Sequence, residues 1–574
     1  MKIRLFSFLL ALCAASAVAA QTDMSCFISQ PSLGDHCTSI LASPGATADG
    51  SAITSHTCDS WYRTWMRWLP AVEYKNDTLV EVYSGKMHTE YPGSMDGVKV
   101  KGKVMQKAGT TYRVLDTAYP CLNEHQLAMG ETTYGGRDTL RNKDGILMIE
   151  ELQRLALQRC TTAREAILYM GSLVYEYGYG DGGECLTIID PKEAWIFEIQ
   201  GEGPDNLGAV WAARRIPDGE VAVSANISRI GSLSPLAEPK PVKQKKGKKA
   251  QYAPLQADDV LASQNVFAVA RKLKLWDGNS EFSFWRAYSG ENYEGEMKNY
   301  AIRELFILQQ LAPSLGLNKD MDELPLSVKP DNKLTLKEVN RLLGSYYEGT
   351  ENDLTQLMRV PKKGRKLFSK EPWTDTDSIV SNFANPWMRF DEISAYYAMT
   401  GDERFDWVRT IAVPQCAYST VIQARKWMPD AIGGVCWMSL DNPGQSPRFP
   451  IFAGGTELPA IVKICGQHRY REDCLLWHLR RTNKLATVRW GVCRKTLEPA
   501  RDHFLDKALR EMPLIEQTYV DMMRQSGTDD EADKKQRTEA AALLNDYTAD
   551  FIGSVILRWD ELYLTYWRKY WAGF

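Results

Sequence analysis

The sequence lacks the features that mark several common classes of protein. It carries 69 lysines and arginines against 72 aspartates and glutamates, so the formal net charge is only −3. A charge this small gives no reason to expect nucleic acid or an anionic membrane as its partner. No two cysteines are spaced as Cys-x-x-Cys, so a zinc cluster is not indicated. The 12 cysteines are too scattered for a disulfide scaffold, which leaves room for one or two disulfides.

Long hydrophobic runs are missing after the first twenty residues. At the start of the chain, Lys2 and Arg4 precede the apolar stretch 5–18, and small residues follow at 17–20. This pattern predicts a signal peptide over residues 1–20, and hence a protein that is exported to the periplasm or secreted. No later stretch has the roughly 18 uninterrupted apolar residues that a membrane-spanning helix needs, so no membrane span is expected. Residues 21–36 are interpreted either as a propeptide or as a disordered tail.

The rest of the chain has the composition and patterning of a globular protein. Hydrophobic residues make up 44% and charged residues 25%, which allows a sizeable core. Strand-like runs are followed by a helix pair and then by further strands, an order that favours a layered α+β architecture. The predicted strands are 38–42, 51–55, 126–129, 186–190, 194–199 and 221–226; the predicted helices are 146–159 and 162–172, the second with the capping-box pair Thr162 and Glu165.

Two segments stand apart in composition. Residues 240–250 are rich in lysine, which predicts a solvated, mobile insert, with a polyanion-binding patch as the alternative. Residues 500–574 carry apolar residues at helix spacing, and 526–574 are interpreted as a helical C-terminal extension. Pro513 is expected to kink or restart the first helix of this region.

Cys37 is the residue whose position suggests a chemistry. Cleavage between His36 and Cys37 would make it the first residue of the mature chain. A cysteine nucleophile needs a nearby base or a lowered pKa, and the chain has only seven histidines, of which His56 lies close in sequence. The α-amine of Cys37 itself, with an unperturbed pKa of about 7.7–8.0, is the alternative base. A buried structural thiol is the third interpretation.

The segments around Cys37 resemble those of a known family. The run Cys37-Thr38-Ser39-Ile40-Leu41, followed by 48–51 and by Cys58-Asp59, is similar to the N-terminus of the dipeptidase A-like cysteine peptidases. These are N-terminal-nucleophile (Ntn) hydrolases, distantly similar to penicillin V acylases and bile salt hydrolases. The resemblance covers residues 37–525, which we interpret as the peptidase domain. Further matching segments, weak singly but specific in their order, are 123–129, 131–133, 182–184, 190–195, 223–226, 409–411, 413–416, 432–435 and 455–457.

The resemblance implies a fold, a reaction and a set of residues. The fold is an αββα sandwich, in which two stacked antiparallel sheets lie between helix layers. The reaction is cysteine-type hydrolysis of dipeptides or short peptides, with no metal or cofactor. Cys37 matches the nucleophile, Asp59 matches a carboxylate beside the catalytic amine and thiol, and Asn226 matches the amide donor to the oxyanion. Thr133 falls near the second oxyanion position. Without the resemblance, a turn or cap role would suit Asp59 and Asn226 equally well.

One position departs from the family pattern. Many relatives carry an arginine three residues before the position of Asp59, and here that residue is His56, so a bidentate arginine clamp is absent. Arg409 is the candidate for a compensating cation, with a surface or strand-end arginine as the alternative. Two other functions stay open, an amidase acting on a non-peptide acyl amide and a non-catalytic binding protein on the same fold. The oligomeric state is open as well, and a homo-oligomer is among the expectations.

Overall fold

The structure is a computed structural model that describes residues 36–239, 251–290, 300–362, 378–400, 408–524 and 530–573. The predicted signal peptide, residues 21–35 and the lysine-rich segment 240–250 lie outside these described residues. The strands are β1 (His36–Ala42), β2 (Ala52–Asp59), β3 (Arg67–Leu69), β4 (Glu73–Tyr74), β5 (Thr78–Ser84), β6 (Lys99–Gln106), β7 (Gly109–Thr110), β8 (Val114–Asp116), β9 (Leu122–Asn123), β10 (Ala128–Gly135), β11 (Gly183–Ile189), β12 (Ala194–Gly201), β13 (Ala209–Arg215), β14 (Val221–Ser224), β15 (Leu255–Gln256), β16 (Val260–Ala262), β17 (Ser327–Val328), β18 (Arg359–Pro361), β19 (Ser378–Val380), β20 (Cys416–Ala424), β21 (Val435–Leu440) and β22 (Phe449–Phe452). The α-helices are α1 (Ile149–Leu157), α2 (Ala163–Tyr177), α3 (Val266–Lys272), α4 (Phe284–Tyr288), α5 (Ile302–Leu311), α6 (Leu336–Leu343), α7 (Phe390–Thr400), α8 (Asp430–Gly433), α9 (Leu475–Val488), α10 (Trp490–Arg524) and α11 (Asp530–Lys569).

Two large antiparallel sheets form the body of the molecule. The first sheet has the order β17-β14-β1-β2-β20-β21-β22, and the second has the order β15-β16-β13-β12-β11-β10-β9-β8-β3. Three two-stranded ribbons complete the described strands: β4 with β7, β5 with β6, and β18 with β19. The structure thus confirms a mixed helix-and-sheet protein with antiparallel sheets.

The two sheets touch through small polar side chains as well as through apolar ones. Ser39 Oγ on β1 lies 2.6 Å from Thr187 Oγ1 on β11, and Thr132 Oγ1 on β10 lies 2.5 Å from Ser224 Oγ on β14. Strands β11 and β12 are buried along their whole length, as strands covered on both faces must be. Helix α2 packs against β12 and β13, and α10 and α11 pack against β22. The start of β1, where Cys37 lies, is therefore fixed in a rigid interior.

Most of the predicted elements are present, with shifted bounds. The strand predicted at 126–129 is β10, which begins at Ala128, and the helix predicted at 146–159 is the shorter α1. The capping box of α2 is confirmed, because Thr162 Oγ1 accepts from the Glu165 main-chain N–H while the Glu165 carboxylate accepts from the Thr162 main-chain N–H. Of the kink or restart expected at Pro513, the restart is wrong, because α10 continues through the proline, and the kink stays a prediction. Ala508, Met512 and Glu516 are buried on this helix, and such packing opposes the roughly 3 kcal/mol cost of an interior proline.

Two expectations can be compared with the described residues: that one or two disulfides form, and that no helix spans a membrane. The ten cysteines among them are all buried, and none forms a disulfide. No described helix combines the length and the apolar character that crossing a bilayer requires. The division into a peptidase domain and a C-terminal extension stays a prediction, although α11 is helical as expected.

The close approach of the two sheets at Gly130 can be tested by adding a side-chain atom there. A Cβ at this position would collide with the main-chain oxygen of Ser55 and lie 2.7 Å from Thr187 Oγ1. We expect Gly130→Ala to lower the free energy of unfolding by about 1–3 kcal/mol, the usual cost of overpacking. Gly553→Ala in α11 is the control, because its added Cβ would meet nothing within 4 Å and should leave stability unchanged or up to about 1 kcal/mol higher. Urea denaturation of both variants measures the difference; equal stabilities would contradict the close approach.

Candidate active site

Cys37 is the second residue of β1 and is almost fully buried. It pairs with Cys58 across to β2, so that His36 lies opposite Asp59. The Cys37 main-chain N–H donates to Asn226 Oδ1 at 2.9 Å, and Sγ lies 3.7 Å from Glu131 Oε2. Both groups that could take part in nucleophilic chemistry, the nitrogen and the sulfur, are therefore held by side chains from other strands or strand ends.

Asn226 follows β14 and is held in a strained backbone conformation. Its φ of 66° lies in the left-handed region, which asparagine tolerates better than most residues. Its Nδ2 donates to the Thr133 carbonyl at 2.6 Å, while Oδ1 accepts from Cys37 and from Arg303 Nη2 at 2.8 Å. These partners fix which way the amide faces, and one of the two Nδ2 hydrogens remains for a further acceptor.

Arg303, near the start of α5, organises this corner of the site. Its Nη1 donates to the Cys37 carbonyl at 2.6 Å and to Thr38 Oγ1 at 2.9 Å, and its Nη2 donates to the Ala225 carbonyl at 2.9 Å. Burial and the neighbouring Arg409 cation lower the pKa of Arg303 to about 9, so it stays charged at neutral pH. Sequence reasoning missed Arg303; the signal for it was a charged pair, Arg303 and Glu304, directly before the apolar run 305–308.

Asp59 and Arg409 form a buried ion pair at the same end of the β1–β2 strand pair as Cys37. Arg409 Nη2 lies 2.5 Å from Asp59 Oδ2, and the two side chains are 2% and 1% exposed. Thr57 Oγ1 donates to the same carboxylate oxygen at 3.1 Å, and Arg409 Nη1 donates to the carbonyls of Thr410 and Ile411. The alternative that Arg409 lies on the surface is therefore wrong, because it packs against the carboxylate that the sequence singled out.

His56 and Glu131 complete the surroundings of the thiol. His56 Nε2 lies 3.4 Å from Glu131 Oε2, and these two atoms and Cys37 Sγ all lie within 4.8 Å of one another. The imidazole is held edge-on between the rings of Tyr119 and Tyr418. Glu131 lies in one of the matching segments, but the sequence assigns it no role. It is the buried acidic neighbour of both the thiol and the imidazole.

Thr133 contacts the site through two of its atoms. Its carbonyl accepts from Asn226, and its Oγ1 donates to Glu131 Oε1 at 3.1 Å. All six residues predicted from the sequence thus lie in one connected network: Cys37, His56, Asp59, Thr133, Asn226 and Arg409. Their individual roles in catalysis remain predictions.

The electrostatics of the site oppose a free thiolate. Burial raises the pKa of the Cys37 thiol well above its usual range, and the neighbouring Glu131 carboxylate raises it further. A hydrogen bond from the Asp59 main-chain N–H acts in the opposite direction but is the smaller effect. Burial and Glu131 together also raise the pKa of Glu184 well above its usual value. In this closed state the thiol is therefore protonated at neutral pH, and it needs a base to react.

Comparison with known proteins identifies the family. A sequence model described as Peptidase family C69 matches residues 36–502. The chain belongs to peptidase family C69. It is 22% identical over 435 residues to a protein of Latilactobacillus sakei named "Probable dipeptidase", a match that covers 73% of this chain and 75% of that protein. A "Probable dipeptidase" of Salmonella dublin is 25% identical over 331 residues, which is 56% of this chain and 60% of that protein.

A third relative is named "Probable dipeptidase B" and comes from Lactococcus lactis subsp. lactis. It is 25% identical over 331 residues, covering 55% of this chain and 52% of that protein. The Salmonella and Lactococcus proteins are thus matched over less than two thirds of their own length. Membership of family C69 and these relatives together support a peptidase hydrolase. The C69 match begins at His36, one residue before the cysteine around which the network is built.

The buried ion pair of this C69 peptidase gives a direct test of the network. Arg409→Met should lower the free energy of unfolding by about 3–5 kcal/mol, because it leaves the Asp59 carboxylate buried without its partner. Arg558→Met is the matched control: Arg558 forms an exposed pair with Glu561 on α11, a type of pair worth about 0–1 kcal/mol. Chemical denaturation of both variants measures the costs. A cost for Arg409→Met no larger than the control's would contradict the buried pair.

Proposed function

We propose that this C69 peptidase is a cysteine-type dipeptidase that uses Cys37 as its nucleophile after cleavage of the His36–Cys37 bond. The observation that carries the proposal is the tethering of both reactive groups of Cys37, its nitrogen by Asn226 and its sulfur beside Glu131. A merely structural cysteine needs no fixed nitrogen and no polar neighbours. The names of the relatives support a dipeptide or short-peptide substrate.

The α-amine is the base that the proposal requires. In the uncleaved chain the Cys37 nitrogen is a peptide N–H, which stands in for the amine that cleavage would create. That amine would have an ordinary pKa of about 7.7–8.0 and would lie on the same residue as the thiol. Because the thiol does not ionise by itself at neutral pH, transfer of its proton to this amine produces the attacking thiolate. Asn226 Oδ1 then keeps the amine oriented.

The oxyanion is stabilised by Asn226 and a main-chain N–H. Attack of the thiolate on the scissile carbonyl moves negative charge onto the carbonyl oxygen, and the spare Nδ2 hydrogen of Asn226 is the donor for it. Such a donor is worth roughly 2.7–4 kcal/mol of transition-state stabilisation. The ammonium of Cys37 next gives its proton to the leaving amine, the carbon–nitrogen bond breaks, and water hydrolyses the resulting thioester.

Burial of the site supports the need for cleavage. Cys37, His56 and Asn226 are only 1–4% exposed in the uncleaved chain. A cavity of about 740 Å³ lies elsewhere, lined by residues that include Arg113, Asp430 and Tyr519. None of the residues that cluster around Cys37 lines it, so it gives no access to the thiol. The His36 ring packs edge-on against Tyr300 at 5.0 Å, directly beside the nucleophile. Removal of His36 would open space for a substrate at this point.

The αββα architecture, the domain bounds and the cellular location are part of the same proposal. Two antiparallel sheets in contact, with helices packed on β12, β13 and β22, support the αββα sandwich of the Ntn hydrolases. We propose the domain bounds 37–525 and 526–574, a signal peptide over 1–20 and a propeptide over 21–36. Export to the periplasm or outside the cell follows from that signal peptide.

Cleavage and turnover should both depend on Cys37. The purified wild-type chain is expected to begin at Cys37 by N-terminal sequencing and intact mass, and to hydrolyse dipeptides. Cys37→Ala should remain uncleaved and inactive, whereas Cys37→Ser could retain partial cleavage. Cys58→Ala is the control, since Cys58 is the buried cross-strand partner of Cys37 and has no proposed chemical role. An active Cys37→Ala protein would contradict the assignment of Cys37 as the nucleophile. An active chain beginning near residue 21 would instead point to His56 as the base.

The role of Asn226 can be separated from that of the nucleophile. Asn226→Ala should lower kcat by about 10²–10³-fold, because the oxyanion loses a donor. Alkylation of Cys37 by iodoacetamide, followed by mass spectrometry, establishes for each preparation whether the nucleophile is present and accessible. A variant that is alkylated like the wild type and yet keeps full kcat would contradict the oxyanion role.

The substrate class needs its own measurement. A panel of dipeptides, penicillin V and conjugated bile acids should show hydrolysis of the dipeptides with kcat/KM at least tenfold above that of the other amides. Preference for penicillin V or a bile acid conjugate would favour the acyl amidase instead. No hydrolysis of any of them by a correctly cleaved chain would favour a binding protein.

A further inference from the structure

Three donor atoms of different chemistry converge at the thiol. Cys37 Sγ from β1, His56 Nε2 from β2 and Glu131 Oε2 from β10 all lie within 4.8 Å of one another, and all three side chains are buried. The oxygen lies 3.7 Å from the sulfur and 3.4 Å from the nitrogen. We propose that these three atoms form a zinc-binding site, and that a bound zinc ion blocks Cys37 reversibly.

The separations fit tetrahedral zinc. With Zn–N and Zn–O bonds of about 2.0–2.2 Å and a Zn–S bond of about 2.3 Å, a tetrahedral arrangement places nitrogen about 3.4 Å from oxygen and sulfur about 3.6 Å from oxygen. The structure has 3.4 Å and 3.7 Å for these two edges. These two edges therefore need shifts of a few tenths of an ångström at most to hold the ion. The third edge, from sulfur to nitrogen, lies within 4.8 Å and would close to about 3.6 Å around tetrahedral zinc.

The donors are also oriented for binding. His56 Nε2 is buried and has no hydrogen-bond partner, although it is aimed at the thiol and the carboxylate. Thr133 holds the other oxygen of Glu131, which orients the carboxylate in the way that outer partners orient metal ligands. A mixed set of sulfur, nitrogen and oxygen donors suits zinc rather than magnesium or calcium, which prefer oxygen alone.

Binding of zinc would prevent nucleophilic attack. On binding, the Cys37 thiol gives its proton to solvent and its sulfur forms a bond to Zn²⁺, so no electron is transferred and no further reactant is needed. The sulfur lone pair is then engaged by the metal, and the fourth position of the tetrahedron is left to water. The ion in this proposal is an inhibitor, and the proposed hydrolysis needs no metal.

Cobalt provides a test that requires no turnover. The full-length protein, freed of metal with a chelator, is titrated with Co²⁺ while its absorption spectrum is recorded. A thiolate–cobalt charge-transfer band in the near ultraviolet that saturates at one equivalent and is displaced by Zn²⁺ is the expected result. Cys37→Ser should lose the band. Cys58→Ser, which changes a neighbouring thiol outside the triangle, should keep it.

The other two ligands are tested by affinity. His56→Gln and Glu131→Gln should each weaken Zn²⁺ binding at least tenfold in competition with a chromophoric chelator, with circular dichroism confirming that they fold. Thr133→Val should weaken it by no more than the ligand variants do, within the roughly 10–100-fold that loss of an outer partner of a metal ligand costs. His125→Gln is the control, because His125 pairs with Asp430 outside the cluster. No charge-transfer band, or unchanged zinc affinity in both ligand variants, would overturn the proposal whether or not the protein proves to be a dipeptidase.

Discussion

The guanidinium of Arg303 is the group on which the geometry around Cys37 depends. It donates to the carbonyls of Cys37 and Ala225 and to the amide oxygen of Asn226, and so joins the start of β1 to the end of β14. A guanidinium is planar and rigid, so these acceptors are held at fixed separations. Glu304, the next residue, accepts from the Ala225 main-chain N–H at 3.0 Å and supports the same strand end from the same helix.

That constraint explains the strained position of Asn226. The left-handed φ of this residue is unfavourable by itself, but Oδ1 accepts two hydrogen bonds and Nδ2 donates one. Strain of this kind persists where the surrounding contacts determine the conformation. Here they place one amide between the nitrogen of Cys37 and the carbonyl of Thr133, so a single side chain touches both large sheets.

Buried charge is the second organising feature. Within the interior, Arg409 pairs with Asp59 and Arg229 pairs with Glu304, each at 2.5 Å. Arg303 is buried as well, and it donates to neutral acceptors. Replacing such pairs by apolar side chains is often neutral or stabilising, so they are weak evidence for stability. Their effect here is positional. Glu131 adds a negative charge beside the thiol, which opposes its ionisation and at the same time provides a donor atom that a cation can use.

Local patterns in the sequence determined much of the fold, because they depend on near neighbours. The capping box of α2, the adjacent strands β11 and β12, and the strand near whose start Cys37 lies all follow from short-range periodicity and turn chemistry. Five of the six candidate residues came from a resemblance spread along the chain and His56 from its closeness to Cys37 in sequence, and the structure brings all six into one network. Only the tertiary structure identified Arg303 and Glu131, and it placed Arg409 on Asp59, 350 positions away in sequence. In a sequence, a buried arginine or glutamate cannot be told from a surface one. Its role depends on partners that only long-range sheet pairing and helix packing bring to it.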